Sequence, residues 1–133
     1  MKPWHQFKQE NPDGFYAKEY SKHTFVVYQH QTSGHLNGYV LLNPEDHIED
    51  ILDINCHGGI TFEGNLAEII PVQPGNWIGF DCAHYGDMTP FSDERLAAHG
   101  FDFGISSDEI WRTPEFVEEN CKQIINQLEG QGN

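Results

Sequence analysis

Two β-rich runs separated by only two residues restrict this chain to folds with a hairpin near the start. Residues 14–20 (GFYAKEY) alternate apolar and polar side chains, residues 23–30 (HTFVVYQH) are dense in β-branched and aromatic residues, and Ser21-Lys22 joins them. Such a link between such runs reads as a β-hairpin. A third strand is expected over 35–42 (HLNGYVLL), entered through Gly34 and stopped by the turn chemistry of Asn43 and Pro44. The result is an antiparallel meander. A further strand is expected over 76–82 (NWIGFDC), bounded by PVQPG before it and Gly86 after it. Between them, Ile48, Ile51 and Leu52 follow helical spacing while Ile54, Cys56 and Ile60 to Phe62 look extended, so a short turn followed by strands around Gly58-Gly59 is expected.

The sheet needs a cover, and the C-terminus supplies one. Thr113 is placed as an N-cap, Pro114 at the first helical position, and Glu115, Glu118 and Glu119 near the positive end of the helix dipole. Phe116, Val117, Cys121, Ile124, Ile125 and Leu128 then recur on one face of an amphipathic helix. Residues 83–112, rich in Gly, Asp, Ser and His, read as a long irregular loop of the kind that carries function. The fold class is α+β: one domain over residues 1–133, an antiparallel sheet with the C-terminal helix packed on one face.

Charge narrows the partners. Seven Lys and Arg against twenty-one Asp and Glu give a net charge of −14, a field that repels nucleic-acid backbones and anionic membranes. General nucleic-acid binding is not expected. No run approaches the length of a membrane span, and the first fifteen residues lack the apolar stretch of a signal peptide, so a cytoplasmic protein is expected. The cysteines are three, Cys56, Cys82 and Cys121, an odd number in a reducing compartment, so they are core fillers or chemistry rather than a disulfide framework.

The candidate chemistry lies in CHGGITF (56–62) and GFDCAHYGD (79–87). Side chains alternate along a strand, so Ile54 and Cys56 point one way and Asp53, Asn55 and His57 the other; likewise Ile78, Phe80 and Cys82 oppose Trp77 and Asp81. With the apolar sets facing the core, Cys56 and Cys82 are buried and His57 and Asp81 emerge together. A bend at 83–86 would then bring His84 and Asp87 to the same cavity.

This set of two imidazoles and two carboxylates has two uses. His57, Asp81, His84 and Asp87 are ligands for a divalent metal ion that activates water, or an aspartate orients a histidine that works as general acid and base without metal. The bland reading of each histidine is a satisfied structural residue. A cysteine nucleophile is the weaker option, because Cys82 is placed among Ile78 and Phe80, where a thiolate is disfavoured. Gly58 and Gly59 either allow a ligand close to backbone amides or form a bulge or tight turn. Trp77 and Tyr85 are candidate stacking faces for a ligand ring, with core or rim as the plainer role.

Through GHLNGYV, HGGITF and WIGFDCAHYGD, followed by a C-terminal helix, the chain resembles a family of small, poorly characterised proteins of bacteria and their prophages over most of residues 34–129. Phage-borne small proteins of this sort include many that counter host immunity, some by capturing nucleotide signals, so the resemblance raises a sequestering role by analogy alone. Three readings follow. The first is a small metal-assisted or acid–base hydrolase-like enzyme acting on a small molecule. The second is a non-catalytic phage or bacterial binder that sequesters a nucleotide-like ligand, with Gly58 and Gly59 on its polar part and Trp77 or Tyr85 on its ring. The third is an acidic inhibitor of a host protein.

Overall fold

The two-residue link does close a hairpin. In a computed structural model, which describes residues 1–46, 48–84, 86–100 and 109–130, strand β1 (Phe15–Tyr20) pairs antiparallel with β2 (His23–Gln29), Tyr20 facing His23. Ser21 takes a φ of 57°, the left-handed conformation that tight turns need and that side chains rarely adopt. Its hydroxyl lies 2.9 and 2.7 Å from the two Glu129 carboxylate oxygens, which ties the turn to the far end of the chain. Strands β3 (Leu36–Leu41), β4 (Phe62–Gly64) and β5 (Trp77–Asp81) complete a five-stranded antiparallel sheet in the order β1-β2-β3-β5-β4.

Three helices accompany the sheet: α1 (Pro3–Glu10), α2 (Pro90–Ala98) and α3 (Pro114–Leu128). The last is the amphipathic helix expected from the sequence. The Thr113 side chain accepts a hydrogen bond from the Phe116 amide, Pro114 opens the first turn, and Val117, Cys121, Ile124, Ile125 and Leu128 are buried. The helix lies against β2 and β3, where those side chains meet Phe25, Val27, Leu36, Val40, Ile78, Phe80 and Cys82 in one core.

The opposite face of the sheet is not open. Val26, Tyr39, Leu41 and Trp77 project there, and Leu66 and Ile70 from the chain between β4 and β5 cover them. Every residue of β3 is therefore buried. Its two faces serve two cores, so the half-solvated alternation usual for antiparallel strands is lost.

Three expectations are corrected. Residues 53–57 do not form a strand: a single 3-10 turn at Ile51–Asp53 is followed by irregular chain up to β4. Cys56 is consequently half-buried rather than sealed in the core. Trp77 is 1 % exposed in the second core, with Nε1 donating to the Gln73 carbonyl, so it offers no stacking face. Of the irregular connection expected over 83–112, residues 85 and 101–108 lie outside the described residues, and α2 interrupts the rest. Among the described residues no helix is long and apolar enough to cross a membrane.

The close approach of α3 to the sheet depends on Gly38. A Cβ there would stand 2.6 Å from Phe80 ring carbons and 2.8 Å from Cys121 Sγ. Gly38→Ala is expected to destabilise the protein by about 1–3 kcal/mol, the cost of overpacking a filled core. Urea denaturation checks this, and a midpoint equal to wild type would refute it.

Candidate functional site

Asp87 gathers the site. Its side chain is completely buried, and burying an isolated charge is prohibitive unless it is paired and hydrogen-bonded. Three donors meet that demand. Arg112 Nε donates to Oδ1 at 2.7 Å, His57 Nε2 stands 2.7 Å from Oδ2, and the His84 amide donates to Oδ2 at 3.0 Å. Burial pushes the Asp87 carboxyl up, but hydrogen bonds from Arg112, His57 and the His84 backbone outweigh it and hold the group below the usual carboxylate range. Asp87 is therefore an acceptor only, and the His57 nitrogen facing it carries the proton.

Each partner is positioned by a different piece of the fold. The 84–87 bend is closed by the Asp87 amide donating to the His84 carbonyl at 2.8 Å. Residues 86–88 then run beside residue 110 as a short parallel bridge, with Ile110 N on Gly86 O at 2.9 Å and Met88 N on Ile110 O at 2.8 Å. That bridge sets Arg112 opposite Asp87. The guanidinium lies over the Phe116 ring, 5.0 Å from its centre, and the His57 ring meets the same phenyl edge-on at 5.1 Å.

The irregular segment carrying His57 is fastened to the polar edge of α3. Asn120 Oδ1 accepts from the His57 amide at 2.8 Å. Gln127, two helical turns further on, accepts from Asn55 N and donates to Asn55 O, both at 2.8 Å. Two amide side chains thus do for this segment what a strand ladder would have done.

A second imidazole–carboxylate pair stands beside the first. His84 Nε2 is 3.2 Å from Asp81 Oδ1 without the alignment of a hydrogen bond. Asp81 is steadied by Thr61 Oγ1 and the Ala83 amide, each at 3.1 Å. The His57 and His84 rings face edge-on with centres 5.7 Å apart. Gly58 makes room for this: its φ is +71°, and a Cβ would fall 2.2 Å from His84 Nε2. Gly59 follows with φ +80°, and its amide donates to the Cys56 carbonyl at 3.0 Å. The glycine pair is a turn that admits a histidine.

The four residues expected in one site lie as two neighbouring pairs, His57 with Asp87 and His84 with Asp81, brought together by a route other than strand alternation. His57 reaches the others from a loop anchored on α3, and it pairs with Asp87 rather than with Asp81. Arg112, Asn120 and Thr61 were not anticipated. An arginine just before the Thr-Pro cap, in a chain with seven basic residues, was the available signal for the first. Tyr85 lies outside the described residues. No three His, Cys, Asp or Glu side chains among the described residues group as a metal ion's ligands would. The thiols are poor nucleophiles, because burial pushes Cys56 up to about 11 and Cys82 to about 12.

A carboxyl held low contributes stability that is complete above its unfolded value of about 3.9 and is lost as pH falls through the folded value. Asp87→Asn leaves Arg112 without its carboxylate and should cost about 3 kcal/mol or more at neutral pH. The deficit should shrink below about pH 4, where wild type loses the same interaction. Urea unfolding at neutral and acid pH checks both, and an equal deficit at the two would contradict the assignment. No protein-family model, no curated protein and no solved structure matches this chain.

Proposed function

We propose that the protein is an acid–base enzyme of hydrolase type, in which His57 moves the proton and Asp87 orients it. The observation that carries this is the 2.7 Å contact between His57 Nε2 and the fully buried Asp87 carboxylate. With Nε2 fixed on Asp87, the other ring nitrogen, Nδ1, carries the lone pair of the neutral imidazole. It takes a proton from water as the water oxygen bonds to the substrate, and it returns that proton to the leaving group as the old bond breaks. Arg112 keeps Asp87 ionised and its oxygens in place.

His84 is the second proton-handling group. It lies against His57 and beside Asp81, which is about one-third exposed where Asp87 is sealed. Two imidazoles backed by carboxylates of such different exposure suit a division of labour between base and acid. With the cysteines raised out of reach, water is the nucleophile that this arrangement supports.

The sequestering reading receives less support. Trp77 is inside the sheet, and the Gly59 amide is held within its own turn. The reading as an acidic inhibitor of a host protein, which rests on the net charge of −14, adds no residue to the site.

His57→Gln keeps an amide donor toward Asp87 and removes the imidazole ring. Against a panel of chromogenic esters, amides and phosphodiesters, wild type should turn over at least one compound above buffer, and His57→Gln should lower that rate by about 10²–10⁴-fold with an unchanged melting midpoint. Equal rates in the two proteins, or no turnover anywhere in the panel, would overturn the reading.

A further inference from the structure

Three buried polar atoms have no hydrogen-bond partner at one end of the sheet: Nδ1 of His35, Oδ1 of Asn37 and Nε2 of His84. Their placement follows from the ladder. Asn37 of β3 stands directly across from Asp81 of β5, and opposed residues present their side chains on the same face about 5 Å apart. His35, two residues earlier, belongs to that face, and its carbonyl accepts from His30 N at 2.8 Å as the ladder runs on. His84 Nε2 is 3.2 Å from Asp81 Oδ1.

Asn37 and His35 are 8 % and 6 % exposed. Native proteins leave few buried polar atoms unpaired, and a group of them needs a cause. The Asn37 amide is not idle, since Nδ2 donates to the Tyr39 hydroxyl at 3.1 Å and leaves Oδ1 without a partner. His35 stacks on His30 with ring centres 4.9 Å apart. Burial, and then the His30 charge, lower His35 to about 4, although Asp81 and Asp87 act on it in the opposite sense. It is a neutral ring at neutral pH.

The charges around this group are negative. Asp81 supplies its carboxylate, and the whole chain carries −14. Arg112 is the cation of the cluster, and its Nε is held by Asp87. Lys8, Lys18 and Arg95 are engaged elsewhere, on the Pro12 carbonyl, on Glu118 and on the Thr32 carbonyl. Among the described residues, an anionic group entering here meets carboxylates and acceptors, and the nearby guanidinium of Arg112 is already paired with Asp87.

We propose that Asn37 and His35 form the binding half of the acid–base site, and that it takes an uncharged or cationic group carrying N–H donors, of carboxamide or amidinium type, and rejects phosphate and carboxylate groups. Asn37 Oδ1 and the Asp81 carboxylate accept the donors. The partly exposed Asp81 and His84 form the way in. A site that presents buried acceptors discriminates strongly, because a ligand lacking the matching donors leaves them unpaired. The assignment rests on the acid–base reading for the location of the chemistry, but binding at Asn37 does not require His57.

The test is an NMR titration of the full chain, labelled with ¹⁵N, using acetamide, methylguanidinium, acetate and methyl phosphate as separate probes. Acetamide and methylguanidinium should shift the Asn37 side-chain amide and the His84 ring signals to saturation, and Asn37→Leu should weaken that binding at least tenfold. Saturable binding of acetate or methyl phosphate at those signals would overturn the proposal. So would the absence of binding by all four probes to wild type, a result that does not depend on any variant folding. His57→Gln should retain the binding. Retained binding with unchanged turnover would remove the acid–base reading alone, whereas lost turnover with no probe binding in wild type would remove this proposal alone.

Discussion

The desolvated carboxylate of Asp87 is the constraint around which the site is assembled. A charge with no water contact has to be met by donors in fixed places, and here they come from three stretches that share no secondary structure: the 54–57 segment, the 84–87 bend and the residues before α3. Each donor draws its own segment inward. The same demand that makes the group costly to bury makes the geometry around it well defined, because a displaced partner would leave a buried charge short of hydrogen bonds.

Much of the scaffold was legible from residue pattern. Strands β1, β2, β3 and β5 and helix α3 fall where alternation, turn residues and the Thr-Pro cap place them, since in each case the local signal and the final packing agree. The misses are elements held by tertiary contacts instead. Helix α1 buries only Phe7 and is kept in place through Trp4, whose carbonyl accepts from Gln29 and whose ring meets Trp111. Helix α2 begins with the same Thr-Pro pair as α3, but it buries only Pro90 and lacks the apolar stripe that made α3 visible.

The site was half legible for a related reason. The residue types in CHGGITF and GFDCAHYGD marked the candidate residues, and the four side chains form two neighbouring His–Asp pairs. The path did not follow from periodicity, because residues 54–57 are held by Asn120 and Gln127, polar side chains on α3 whose partners no local pattern reveals. Arg112 was hidden similarly. Its role is set by a backbone bridge between residues distant in sequence, and a lone arginine carries no periodic signal.

That bridge has a wider consequence. Where Gly86, Met88 and Ile110 join, the chain departs and returns at a single hydrogen-bonded neck, so the span between is an excursion closed at its base. Ends held together in this way make changes in length cheap, because closure entropy grows only slowly with the number of residues enclosed. Asp87 and Arg112 stand at the neck, whose hydrogen bonds hold them together whatever the length of chain between. The fold thereby divides its freedom to vary: a buried ion pair that tolerates little change, and beside it a stretch of chain whose length is less tightly fixed.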